Sequence, residues 1–266
     1  MKKLSLSVLL CVLFIGMSVG FGTKACALGS APVAENLNIN TYRNTSVNGI
    51  LSAYDPEDDV VSYIITTNPV KGEIHVEANG EFIYTPKEGK KGRDYFGYKA
   101  IDSEGNYSQE ATVIIKIISS KTIEYKDMEN RAGEYAAVTL NKEQIFTGEN
   151  LGSFFYFGPD KSVSNSEFVA MCRLALEDST ILEEYMSEPE STITKAQAAL
   201  MLNEAMKLND VDYFKIELDA EEPVVQACMN LGAAGVMTLT CDTEDLLTRE
   251  DAAIMLVKAL EIVRNR

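Results

Sequence analysis

The chain has 266 residues, a formal net charge of −16 at pH 7, one histidine, no tryptophan and five cysteines. So acidic a chain is a poor partner for nucleic acid or an anionic membrane. With His75 as its one histidine, a Ser-His-Asp triad, a Cys-His pair or a His-rich zinc site has almost nothing to be built from, and no enzyme is expected.

Lys2 and Lys3 precede an apolar run from Leu4 to Phe21 and the small-residue sequence Ala25-Cys26-Ala27. This is the pattern of a secretory signal peptide, with cleavage expected after Ala27. The other reading is an uncleaved anchor, but the run is barely long enough to span a bilayer and no basic stop-transfer cluster follows it. The charge of Lys24 stands where a lipid-attachment site ahead of Cys26 would carry small or apolar residues. No later segment is apolar enough to cross a membrane, so the chain from Leu28 onward is expected outside the cell, attached non-covalently and without a membrane span. Losing Lys2, Lys3 and Lys24, with no Asp or Glu beside them, takes the charge from −16 to −19. Three cysteines then remain, Cys172, Cys228 and Cys241, too few and too widely spaced for a disulfide framework. Cys228 and Cys241 could pair in an oxidising compartment; the alternative is buried thiols, at Cys172 first.

Between Ala31 and Ile118 short β-branched and aromatic runs alternate with turn residues, which predicts seven strands: around Leu37–Asn40, Ser46–Ser52, Val60–Thr67, Gly72–Val76, Glu81–Thr85, Asp94–Ile101 and Glu110–Ile118. Asp55-Pro56-Glu57-Asp58, Asn68-Pro69, Ala78-Asn79-Gly80, Pro86-Lys87-Glu88-Gly89 and Asp102-Ser103-Glu104-Gly105 supply the turns. Seven strands in this length fit one immunoglobulin-like sandwich. Asp55, Asp59 and Asp102, with Glu35 as a more distant fourth, are the candidate Ca²⁺ ligands, since hard oxygens on loops suit that ion; solvated acidic turns are the competing reading.

Ala31-Pro32-Val33-Ala34, Asp55-Pro56-Glu57, Gly80-Glu81-Phe82-Ile83-Tyr84-Thr85-Pro86, Asp94-Tyr95-Phe96-Gly97-Tyr98 and Asp102-Ser103-Glu104-Gly105 follow one another in an order that resembles the bacterial cadherin-like, immunoglobulin-like repeat of large surface proteins.

After Ser119 and Ser120 the period becomes helical and repeats. Phe168, Met171, Cys172, Ala175 and Leu176 follow Ser164; Ala198, Met201, Leu202, Ala205 and Met206 follow Thr194; Ala252, Met255, Leu256, Ala259 and Leu260 follow Thr248. Each set keeps one register and forms one face of a helix, so the three are copies of an internal repeat. Ser164 with Glu167, Thr194 with Gln197 and, with a shorter side chain, Thr248 with Asp251 have the spacing of a capping box.

Tyr125-Lys126-Asp127, Ile145-Phe146-Thr147-Gly148, Phe157-Gly158-Pro159 and Ser164-Asn165-Ser166-Glu167 in copy one resemble the S-layer homology domain. Ile193-Thr194-Lys195-Ala196-Gln197 in a shortened copy two, and a helix from Pro223 to Ala233, Gly235-Val236-Met237 and Leu247-Thr248-Arg249-Glu250-Asp251 in copy three, continue the likeness. The resemblance implies attachment to a secondary polysaccharide of a Gram-positive-type cell wall, through the residue after each capping hydroxyl: Asn165, Lys195 and Arg249, with Asp127 from the start of copy one. The family's ligand carries acidic pyruvate groups, and of these residues only Arg249 offers a planar fork that can hold a carboxylate through two hydrogen bonds.

The expected fold is multidomain, all-β plus all-α: a signal peptide at 1–27, a β-sandwich at 28–120 and SLH-like repeats at 121–176, 177–209 and 210–266. The expected function is non-catalytic wall attachment that presents the sandwich for adhesion or spacing, with wall polysaccharide and other surface proteins as partners. The alternative is a structural or protein-binding module without glycan affinity. No cofactor is called for beyond the Ca²⁺ candidate.

Overall fold

The computed structural model describes residues 29–55, 57, 62–176, 184–211, 222–237 and 244–265. The signal-peptide reading of residues 1–27, Asp59 and Cys241 lie outside the described residues.

The sandwich contains β1 (Val33–Ala34), β2 (Leu37–Tyr42), β3 (Val47–Ile50), β4 (Ala53–Tyr54), β5 (Ser62–Thr67), β6 (Gly72–Val76), β7 (Glu81–Pro86), β8 (Gly92–Ile101) and β9 (Ala111–Ile118). All seven expected strands are present, and the short pair β1–β4 is added to them. One sheet has the order β2-β9-β8-β5 and the other β3-β7-β6, with β2 parallel to β9 and the remaining ladders antiparallel. Alternation sends Val113, Ile115 and Ile117 of β9 inward, against Phe82 and Tyr84 of β7 and Phe96 and Tyr98 of β8. Gly49 and Gly72 stand where Phe82 and Tyr84 cross: a Cβ on either glycine would lie 2.3 Å from the ring. Asp94 is buried in the same core with its carboxylate fully engaged. Tyr84 donates to Asp94 Oδ2 at 2.8 Å, while Asp94 accepts from the backbone N–H groups of Val70 (3.1 Å) and Lys71 (2.8 Å).

The described residues after the sandwich are mainly helical: α1 (Glu134–Lys142), α2 (Asn165–Leu176), α3 (Lys195–Met206), α4 (Glu222–Ala233) and α5 (Arg249–Arg264), with a 3₁₀ turn at Glu184–Ser187. A hairpin of β10 (Glu149–Leu151) and β11 (Phe154–Tyr156) stands between α1 and α2. The three apolar registers become the buried faces of α2, α3 and α5 in one core. Among the described residues no helix is long and apolar enough to cross a membrane.

The segments just before α2, α3 and α5 close on one another. Val163 N–H donates to Leu247 O (2.9 Å), Leu247 N–H to Ile193 O (2.8 Å) and Ile193 N–H to Val163 O (3.1 Å). A second ring surrounds the first: Arg249 N–H to Lys161 O, Asn165 N–H to Ser191 O and Lys195 N–H to Asp245 O, at 2.8–2.9 Å. Val163, Ile193 and Leu247 are each fully buried. Three backbones meeting at one point would strand polar groups in the core, and the cyclic pattern removes that cost.

The sandwich and the helices touch through α1. Tyr135 packs 5.7 Å from Tyr42, and Lys121 Nζ pairs with the buried Glu134 at 3.1 Å. Beside this contact lies a cleft of about 930 Å³ between β2–β3 and α4–α5, with Lys258 and Glu261 on its helical wall.

Candidate functional site

The capping hydroxyls perform as the sequence predicts, but their acidic partners diverge. At α3 the box is complete: Gln197 N–H donates to Thr194 Oγ1 (3.3 Å) and Thr194 N–H to Gln197 Oε1 (2.8 Å). At α5 the Asp251 side chain is too short to reach back to the backbone of Thr248 and accepts from the Thr248 hydroxyl instead, at 2.9 Å. At α2, Glu167 N–H is capped by Ser164 (3.3 Å), while the Glu167 carboxylate turns away to Arg249.

That turn determines the site. Arg249 Nε donates to Glu167 Oε1 at 2.9 Å, and Nη1 to Glu149 Oε1 and Phe157 O, both at 3.2 Å. The guanidinium lies 5.0 Å from the centre of the Phe146 ring, and the side chain is 15% exposed. Arg249 therefore fills a crevice between copies three and one rather than reaching into bulk water. Lys161 (2.5 Å) and Arg249 together hold the Glu149 carboxyl below its usual range, Lys161 contributing most.

Lys195 repeats the arrangement one copy along. Its Nζ lies 3.2 Å from Asp251, the acid three residues past the capping hydroxyl of copy three, and 3.9 Å from Asp245. The basic residue of one copy thus pairs with the acid of the next. Asn165 has no charge to give and donates to Glu188 O at 3.1 Å. The structure does not bring Asp127 to these side chains: its two oxygens accept from the N–H groups of Phe157 (2.9 Å) and Gly158 (2.8 Å), securing the Phe-Gly-Pro turn. Gly158 adopts a φ of +72°, and a Cβ there would press against Lys161 and Arg249.

Sequence reasoning missed Glu149, Phe146 and Lys161, and also Arg131, which bridges Glu250 (2.6 Å) and Asp160 (2.7 Å). Their partners are as much as 119 residues away, beyond any local spacing signal.

Two of the calcium candidates, Asp102 and Asp55, accept hydrogen bonds from backbone N–H groups of their own loops. Asp102 Oδ1 accepts from Glu104 N–H and Asn106 N–H, and its Oδ2 from Asn106 Nδ2. Desolvation works to raise its pKa, but these bonds outweigh it and the net shift is downward. Asp55 Oδ1 accepts from Glu57 N–H at 3.0 Å, and Glu35 Oε2 from Ser52 Oγ at 3.3 Å. Among the described residues, no group of three His, Cys, Asp or Glu side chains is placed to hold a metal ion.

Residues 29–119 match the bacterial cadherin-like domain. No curated protein matches the chain. Among solved structures, an endo-fucoidan hydrolase from glycoside hydrolase family 107 is 23% identical, over 36% of this chain and 14% of its own, with a TM-score of 0.29. A putative alpha-galactosidase from Bacteroides fragilis is 14% identical over 34% of this chain and 18% of its own, TM-score 0.27. The SrpA adhesin from Streptococcus sanguinis is 14% identical over 36% and 65%, TM-score 0.26. The chain thus spans under a fifth of the two enzymes and about two thirds of the adhesin. The cadherin-like domain is followed by the five described helices.

Proposed function

We propose that this chain is a non-catalytic, secreted protein of a Gram-positive-type cell surface. Three degenerate S-layer homology repeats would hold it non-covalently to a secondary wall polysaccharide, with the cadherin-like domain presented for adhesion or spacing. The observation that carries the reading is the closed ring of Val163, Leu247 and Ile193, which needs three equivalent segments where the sequence carries three copies. The crevice of Arg249 is the best-formed basic position, since its Nη2 makes no hydrogen bond among the described residues. An acidic sugar substituent would enter there and share the fork with Glu167 and Glu149.

The second reading, a structural or protein-binding module without glycan affinity, is favoured by the same ion pairs, because Arg249 and Lys195 already neutralise carboxylates of neighbouring copies. Cosedimentation of the secreted chain with purified sacculi, before and after chemical removal of the secondary polysaccharide, separates the two. Attachment predicts that retention is lost on removal, and that Arg249→Ala weakens it more than Lys195→Ala, each variant being checked for helix content. Retention that is unchanged by removal assigns the second reading.

A further inference from the structure

The outer face of the four-stranded sheet breaks a rule of strand pairing. Arg93 of β8 and Lys116 of β9 are direct cross-strand partners and both are exposed, so two like charges stand opposite each other. Such a pair is destabilising unless something compensates for it. Lys90 and Lys91, also exposed, enter the same end of β8 from the preceding loop. Among the described residues none of these four cations forms an ion pair, on a chain whose net charge is −16. Nearly all the ion pairs among the described residues instead lie in the helical part.

The next pair on the same face of these two strands is Tyr95 with Ile114, 57% and 39% exposed. Tyr95 points outward while its neighbours Asp94 and Phe96 point into the core, so its ring is displayed by the strand and not by a loop. Acidic groups are sparse on this face. Glu88 lies in the loop ahead of Lys90, and Glu110 folds over Gly97, on the far side of Tyr95 from Arg93.

We propose that this face binds an extended polysaccharide bearing carboxylate groups, with Arg93, Lys116, Lys90 and Lys91 taking the carboxylates and Tyr95 with Ile114 taking the apolar faces of sugar rings. A flat sheet face suits an extended polymer, the arginine fork suits a carboxylate, and an uncharged ring stacks on an exposed tyrosine. The proposal borrows from the previous reading only the extracellular setting, and it concerns a different surface.

The test is calorimetric titration of the chain from Leu28 onward with polygalacturonate, neutral dextran, poly-glutamate and single-stranded DNA, at low and at high salt. Polygalacturonate is expected to bind best, dextran not at all, and salt to weaken the complex by screening. The double variant Arg93→Gln/Lys116→Gln should lose at least about tenfold in affinity, the equivalent of one good charge-assisted contact. Tyr95→Ala should weaken polygalacturonate while leaving the residual binding of poly-glutamate unchanged. All three positions are exposed, so circular dichroism should show the native fold. Unchanged affinity in the double variant, or poly-glutamate or DNA binding as tightly as polygalacturonate, overturns the proposal. A chain that fails to sediment with sacculi yet binds polygalacturonate through this face separates failure of wall attachment from failure of this site.

Discussion

Lys258 shows how one residue can work against the fold that contains it. Desolvation in the cleft between sandwich and helices pushes its pKa down from 10.5 to about 8, although Glu81 and Glu261 oppose the shift. The folded state then binds fewer protons than the unfolded state between those two values, so stability should rise with pH across that window and the penalty is complete below it. At 1.36 kcal/mol per unit the penalty is at most about 3 kcal/mol, since the side chain keeps some contact with water. Lys258→Met is therefore expected to raise the melting temperature at pH 7 and to flatten its rise between about pH 8 and 10.5. A melting curve that keeps its pH slope in the variant would assign that slope to another group. Arg249 makes the complementary point. From the sequence its charge is left over after helix capping is accounted for; in the fold it is bound by Glu167 and Glu149.

Among the elements, the helices follow from the chain with little help. Apolar residues at one register, a capping hydroxyl ahead of each and the absence of proline inside α2, α3 and α5 suffice to place them. The complete box at α3 makes Thr194→Ala the informative capping change, expected to cost about 1 kcal/mol in urea unfolding. The Ser164→Ala change should cost less, because Glu167 closes no reciprocal bond there. The β10–β11 hairpin was not foreseen. Its strands are three residues long and expose Leu151 and Phe154, so there is no buried face to impose alternation on the sequence.

For the molecule as a whole, the centre of the helical part is the ring through Val163, Ile193 and Leu247, where packing and backbone hydrogen bonding coincide. Ile193→Ala opens a cavity in that centre and should cost about 2–5 kcal/mol. The loss should appear as lowered cooperativity of the helical signal, while near-ultraviolet signals from the sandwich tyrosines persist. Loss of both signals at one midpoint would mean that the Tyr42–Tyr135 and Lys121–Glu134 contacts make the two parts one cooperative unit.

The sequence by itself determined most of the elements and their faces: alternation for the sandwich, a repeated helical register after it, and the hydroxyls that start α2, α3 and α5. These are local properties, written in residues a few positions apart. Only the tertiary structure decided what the charged residues do. It set Arg249 against Glu167, Lys195 against Asp251 and Asp127 on the turn at Phe157, and it left Arg93 and Lys116 side by side without an ion pair among the described residues. The reason is electrostatic and geometric. The energy of a charge depends on what lies within a few ångströms in space, and those neighbours come from parts of the chain that sequence spacing does not connect.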